Sequence, residues 1–516
     1  MAAWDDGYVS DVVYTSNFYR ECTPAWMSAA ALLLGHRPPD LARPFRYADF
    51  GCAHGFTAVA IAAAHPNAEV WGFDFNPAHI ESARDLAFRS GLSNVHFQEA
   101  SFADIAEGTE IAGGTFDFAV SHGVLSWIST ENRQHVIRAI GRLTKPGGLS
   151  YLSYNVLTGW PGMLPLRALM RMLAKASPDR SDLAVPGILD FIDRLKQGGA
   201  LFFQANPGLE TRLAEIRRQD ARYIAHEFLN EDWQPVMSAE VATAMTEVKC
   251  GFIGSATLPE NIDTVSVPAG LGTMMSETRD PVLRETLRDF GAGQGFRRDL
   301  FRRGVNTMPT GEHQARVDDL TLVGTGQAAG DQITIPTSIG SVTGRPEIYG
   351  PLLAMLADGP MTVRQVRQRE PFVSRPLVEL LQAVALLFAG GYAHPAFPGV
   401  AADAVRAVAR LNQVIAASNA GGGDQPRLVS PVMGSAITVD FLETLAVGAL
   451  LGGHGLDLDA LTSTVLGQLT AAGRAVQQEG QAVQDPAEAR RIVTALMRGF
   501  LDNRMPVLRH LGVLAR

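Results

Sequence analysis

From about residue 45 to 154 the chain alternates short apolar runs with helical patterns, and that rhythm calls for βαβ units around a parallel sheet. "RYADFG" reads as a first strand, followed by the small-residue helix "FTAVAIAAAH", which Pro66 stops. "AEVWGFD" is a second strand. Asn76 then suits an N-cap and Pro77 the first position of a helix closed by Gly91. "NVHFQEA" and "FDFAVSHG" supply strands three and four. "TENRQHVIRAIGRLT" is a helix ended by "KPGG", and "LSYLSYN" is a fifth strand. The expected class is therefore α/β, with a Rossmann-like sheet.

Residues 156–230 change to amphipathic helical patterns, which reads as a helical insertion. "SAEVATAMTEVKCGFIGSATL" returns to a helix and a strand, and "VDDLTLVGTG" to one more strand. On this reading 1–155 holds an N-terminal cap and the sheet core. Residues 156–326 hold the insertion and complete the sheet. "GQAAGDQ" (326–332) is a boundary. Residues 333–400 have three helices and a terminal strand, an order that suits a winged-helix-like module. After it, 401–516 is alanine- and leucine-rich helix, with a soft spot at "NAGGGDQ" (419–425).

Composition narrows the function classes. A chain of 516 residues with 46% hydrophobic and 19% charged residues is a globular protein with more than one core. Its formal charge of −9 argues against broad nucleic-acid binding. Cys22, Cys52 and Cys250 are far apart with no CxxC pair, which excludes a zinc ribbon or a disulfide framework and suits a reducing compartment. The acidic start "MAAWDDGYVSD" has no apolar core like that of a secretory signal, and "AITVDFLETLAVGALLGG" is too short and too charged to span a bilayer. A cytoplasmic protein without a membrane partner is expected.

The chemistry concentrates in "DFGCAHG". A dinucleotide fingerprint would need glycines at 53 and 56, where Ala53 and Phe56 stand. What remains is Asp49, Gly51, Ala53 and Gly55 in a compact turn that lets backbone approach a ligand. Asp74 ends the second strand, where an acid can accept both hydrogen bonds of a ribose diol. Ser101 and Phe102 follow the third strand and could bracket an adenine. His122 and Gly123 end the fourth, again at the carboxyl edge where open α/β sheets bind ligands.

These residues give the chain its resemblance to class I S-adenosylmethionine-dependent methyltransferases. "DFGCAHG" resembles the first motif, "GFDFN" the acidic second, "EASFADI" the third and "FDFAVSHGVLSWI" the fourth. The resemblance implies S-adenosyl-L-methionine as cofactor and S-adenosyl-L-homocysteine as product. It implies a methionine end over Asp49, Gly51, Cys52, Ala53 and Gly55, a ribose on Asp74 beside Phe75, and an adenine near Ser101 and Phe102. The family often has Asp at position 101, and Ser101 would hydrogen-bond more weakly. "VVYTSNFYRECTPAWMSAAALLLG", "SYNVLTGW" and "YIAHEFLNEDWQPV" narrow the likeness to methyltransferases with a methyltransferase regulatory domain, among them the rickettsial outer-membrane-protein lysine methyltransferases. By that likeness Tyr14 folds over the cofactor, and the acceptor is a lysine of a protein substrate.

Methyl transfer is an in-line displacement, so the protein positions the nucleophile and shapes charge. Candidates are His122 and Trp127 after strand four, Tyr154 and Asn155 at the end of strand five, and Trp160 beyond. Both tryptophans suit packing as well. His226 and Glu227 lack the partners of a metal site, so no metal is expected, and His226 and Trp233 read as ties between the insertion and the core. "GFRRDLFRR" (295–303) reads as the ion-paired face of a helix. A small-molecule methyltransferase and an inactive cofactor-binding regulator are the alternative functions. A homodimer is compatible with the sequence, and no nucleic-acid partner is expected.

Overall fold

A computed structural model describes residues 7–9, 11–12, 17–108, 114–327, 332–397, 399–478 and 481–515. The alternating segment folds as a seven-stranded sheet in the order β3-β2-β1-β4-β5-β7-β6. Its strands are β1 (Phe45–Phe50), β2 (Ala68–Asp74), β3 (Val95–Glu99), β4 (Phe116–Ser121), β5 (Thr144–Asn155), β6 (Cys250–Ser255) and β7 (Phe296–Arg303). The first five run parallel, and β7 lies antiparallel between β5 and β6. Helices α1 (Pro24–Leu33), α2 (Phe56–Ala64), α3 (Pro77–Arg89), α4 (Phe102–Glu107) and α5 (Thr130–Leu143) cover its faces. β5 starts at Thr144, so "KPGG" belongs to the strand and does not precede it.

The small-residue composition of α2 has a structural cause. Eight of its nine residues are buried, because a helix from the C-terminal third (Ala402–Ala420) packs against its outer side. Apolar residues all round a helix demand cover on all sides. The C-terminal third thus shares one continuous core with the sheet.

The insertion between β5 and β6 contains α6 (Met163–Ala176), α7 (Ser181–Gln197), α8 (Leu201–Ala205), α9 (Leu209–Ile216) and α10 (Ala221–Phe228), followed by α11 (Ser238–Glu247). It has its own core, in which Trp160 packs on Trp233 with ring centroids 5.2 Å apart.

The stretch "GFRRDLFRR" is corrected by the structure: it forms β7, not a helix face. A period of two decides the matter. Arg297, Asp299 and Phe301 point to one face of the sheet, Arg298, Leu300 and Arg302 to the other. Arg297 is fully buried and ion-paired to Asp299 at 2.9 Å, Asp289 at 2.7 Å and Glu285 at 2.9 Å. Three carboxylates around one guanidinium make up for its lost hydration. Removing it leaves buried charge uncompensated, so Arg297→Ala should cost about 3–5 kcal/mol of stability. Equilibrium denaturation checks this, and a loss under about 1 kcal/mol would contradict the buried pairing.

A second correction concerns where the sheet ends. It is complete at Arg303, not near residue 326. The strand expected in "VDDLTLVGTG" forms (Thr321–Gly324) but pairs with Met361–Thr362 and Ala393–Ala396 in a separate three-stranded antiparallel sheet. Helices Pro346–Ala357, Val363–Arg367 and Leu377–Gly390 accompany that sheet. Among the described residues no helix is long and apolar enough to cross a membrane.

Candidate active site

The carboxyl ends of β1, β2 and β4 open onto one cavity of about 210 Å³, roofed by α10 and by residues 17–22. The turn after β1 forms its base. Gly51 (φ 84°) and Gly55 (φ 71°) adopt left-handed backbone, and so does Ala53 at φ 47°. A Cβ on Gly51 would lie 2.6 Å from the Val124 side chain, and one on Gly55 2.6 Å from Ala83 and 2.7 Å from the Phe97 ring. Ala53 has no such freedom and is held in place. Its N–H donates to the Asp74 carboxylate at 2.9 Å, while the N–H groups of Gly51 and Cys52 donate to the Phe73 carbonyl at 2.8 and 3.0 Å.

Asp74 therefore does more than end a strand. Its other carboxylate oxygen accepts from the Asn76 N–H at 2.9 Å and pairs with His79 Nδ1 at 3.2 Å. A carboxylate has about four acceptor positions, so the cavity side remains available to a diol. Asp74→Ala removes the clamp on Ala53 as well as the acceptor, and should weaken cofactor binding by about 1–3 kcal/mol in a calorimetric titration. Unchanged affinity would remove the ribose from this end of the cavity.

Asp49 behaves differently. It is 7% exposed, and no hydrogen bond or ion pair engages its carboxylate among the described residues. Burial, reinforced by the nearby Asp74 charge, pushes it up to about 7. A desolvated acid without a partner is suited to a cationic ligand. Together with the glycine turn it fits the ammonium and sulfonium charges of a nucleoside methyl donor.

Of the sequence candidates, Asp49, Gly51, Cys52, Ala53, Gly55, Asp74, Phe75, Phe102, His122, Gly123 and Trp127 all line this cavity. Tyr14 lies outside the described residues. Ser101 is not on the wall: it caps α4, its hydroxyl 2.6 Å from the Asp104 carboxylate in a capping box. Tyr154 is not there either. It is fully buried under the sheet and donates its hydroxyl to Asp299. Asn155 is buried beside Ser126, and Trp160 donates its indole N–H to the carbonyl of Gly295, the residue before β7. Strand residues alternate faces, so adjacent Tyr154 and Asn155 cannot both face one ligand.

The side of the cavity away from Asp74 is aromatic. Tyr19 stacks on His122 with centroids 3.7 Å apart, and Trp127, Tyr223 and Phe296 complete the wall. His122 is held neutral, well below its ordinary value, by burial and by the Arg298 charge. Its Nδ1 lies 2.8 Å from the Tyr151 hydroxyl. That hydroxyl is fully buried, and a second one, Ser153 Oγ, lies 3.2 Å from the same nitrogen. Two hydroxyls that converge on Nδ1 are both served when it is the acceptor, the arrangement that puts the ring proton of His122 on Nε2. In this tautomer His122 can donate into the cavity but cannot take a proton there.

The ionisable carboxyl on this wall is Glu227, to which the sequence pattern assigned no chemical role. It sits on α10, and the Trp127 indole N–H donates to its backbone carbonyl at 3.3 Å. Burial pushes its carboxyl up to about 7, offset in part by Asn155, Trp233, Arg212 and Tyr223. The Asn155 and Trp233 nitrogens face it without completing full hydrogen bonds. Tyr223 and Glu227 stand four apart on one helical face, a spacing visible in "YIAHE", but only the fold shows that this face looks into the cavity. Among the described residues no cluster of His, Cys, Asp and Glu could hold a metal ion.

Comparison with known proteins agrees with this geometry. Residues 48–148 match the family model described as a methyltransferase domain, and residues 220–303 one described as a predicted methyltransferase regulatory domain. The second span runs from α10 through β7, so it supplies Glu227 and completes the sheet. An uncharacterized protein of Synechocystis, sll1526, is 31% identical over 511 residues, 99% of each chain. A trans-aconitate 2-methyltransferase of Methylobacterium radiotolerans is 30% identical over 173 residues, 34% of this chain and 60% of its own length. In fold, PKMT2 from Rickettsia typhi, solved in complex with AdoHcy, superposes with a TM-score of 0.71 at 18% identity, covering 97% of this chain and 100% of its own. By its near full-length relative and these two matched regions, the chain belongs to the class I S-adenosylmethionine-dependent methyltransferases that carry a methyltransferase regulatory domain.

Proposed function

We propose that the protein N-methylates an amine, and that the amine is a lysine side chain of a protein substrate. The observation that carries this reading is the Glu227 carboxyl set among the rings of Tyr19, Trp127 and Tyr223 on the acceptor wall. Aromatic faces and a carboxylate attract an ammonium group, and an ionised carboxylate can then take its proton. When bound, the cofactor supplies an electrophilic methyl group on sulfur. Asp49 and the turn Gly51–Gly55 hold its amino-acid end, and Asp74 holds its ribose. Glu227 takes one proton from the ammonium, which leaves the nitrogen lone pair free to act as the nucleophile. His122 donates from Nε2 and orients the reactants. The likeness to the lysine methyltransferases supports the choice of a protein substrate. The three-stranded sheet and helices of 321–396 suit a winged-helix-like docking module for it.

Methyl-labelled cofactor incubated with the enzyme and a cell lysate tests the reading. Label on lysines of the protein fraction is the expected result. Label confined to small molecules would refute it and favour the biosynthetic alternative. The trans-aconitate methyltransferase match favours that alternative for the core region alone.

A further inference from the structure

Behind Phe296 lies a second cleft of about 380 Å³, and the Phe296 ring lines both this cleft and the cofactor cavity. Arg298 lies in this cleft. It pairs with Ser153 across the β5–β7 ladder, and its guanidinium packs over Phe296 at 5.0 Å. Unlike its neighbour Arg297, it makes no ion pair among the described residues. Among the described residues its guanidinium makes one hydrogen bond, a long one from Nη1 to Thr257 Oγ1 at 3.4 Å, and its buried Nε has no acceptor.

Two carboxylates share the cleft, and both are engaged elsewhere. Glu21 pairs with Arg20 at 3.7 Å, and Glu260 accepts from Ser255 at 2.6 Å and Gln294 at 2.8 Å. They lie within electrostatic range of Arg298 and help hold it above its ordinary value, but neither forms an ion pair with it among the described residues. Its charge is compensated at a distance, but a buried N–H donor with no acceptor is costly unless a ligand completes it. The group that matches its planar fork is a carboxylate.

We propose that Arg298 anchors a carboxylate of the acceptor, so that the enzyme selects amines with an acidic group close to the nitrogen methylated. In a protein substrate that means an Asp or Glu beside the target lysine. The proposal rests on the amine reading above for its substrate and on the cleft for its anion. Arg298 lines the cleft and not the cofactor cavity, which separates this role from holding the methionine carboxylate.

The test has two arms on the full chain. In the first, glutarate is titrated calorimetrically into the AdoHcy-loaded protein and into Arg298→Gln, with Arg298→Lys as a charge-retaining second variant. Saturable binding should weaken about tenfold or more in Arg298→Gln, while cofactor affinity stays unchanged. Equal glutarate binding by both, or binding by neither, overturns the proposal. A loss of cofactor affinity in the variants does so too, because it reassigns Arg298 to the cofactor. In the second arm, acetyl-Glu-Lys-amide and acetyl-Gln-Lys-amide are compared as methyl acceptors. Wild type should favour the first by about tenfold in kcat/KM, and Arg298→Gln should lose that preference. A preference that survives in the variant overturns the proposal. Glutarate binding intact with label on neither peptide would refute the lysine reading and leave the anion site of Arg298 standing.

Discussion

Glu227→Gln is expected to lower kcat for methyl transfer by about 10²–10⁴-fold while leaving cofactor affinity unchanged. The substitution preserves size and hydrogen-bonding capacity but removes the group that takes the proton. The pH profile separates this role from packing. Burial raises Glu227 to about 7, so the ionised form that can accept a proton is gained as pH rises through that value. Wild-type kcat should therefore fall on the acid side of about 7, and the variant should lose that limb. Glu227→Asp should restore part of the rate with the limb intact. If Glu227→Gln keeps both its rate and its acid limb, the proton goes elsewhere. His122 would then be the first group to reconsider, which would require the opposite tautomer.

Asp49→Asn should weaken cofactor binding by about 10–100-fold, as loss of a charged interaction in a dry site requires. It should also abolish the pH dependence of that binding. Asp49 is raised to about 7 by burial and by Asp74, so the empty site holds a proton below that pH. A cationic ligand prefers the ionised form, and wild-type affinity should rise with pH through 7. Stability follows the same linkage with the opposite result. A folded-state value above the unfolded one, about 3.9, makes the Asp49 contribution fall as pH rises between those values. Asp49→Asn without cofactor should therefore melt higher than wild type at pH about 8, and match it at pH about 4. A variant that melts lower at both would show that Asp49 has a structural partner.

The sheet core was legible because its signals are local. Alternating apolar runs, the Asn76 cap and the glycines after β1 each express a constraint within a few residues, and the elements from β1 to β5 formed in the expected order, with β5 starting earlier than expected. The cavity wall was legible for a related reason. In a parallel sheet, residues at successive strand ends share one edge, so Asp49, Asp74 and His122 meet as soon as the strand order is set. The basic run was misread because four arginines in nine residues suggest solvent, while the burial of Arg297 depends on Glu285, Asp289 and Asp299. The Asp289 and Glu285 partners arrive from a helix, and no local pattern announces them. Tyr154 misled differently: the end of a strand is near the ligand, but parity decides which face a side chain takes.

The sequence by itself determined the α/β class, the glycine turn Asp49–Gly55 and the strand-end acid Asp74, since these depend on backbone geometry and short spacing. Only the tertiary structure decided what lines the rest of the cavity and the cleft beside it. Glu227 and Tyr223 come from the helical insertion, Tyr19 from the segment before α1, and Phe296 and Arg298 from a strand threaded back between β5 and β6. These groups are up to some 280 residues apart in the chain. Their burial and protonation depend on mutual desolvation, which exists only once the chain has folded.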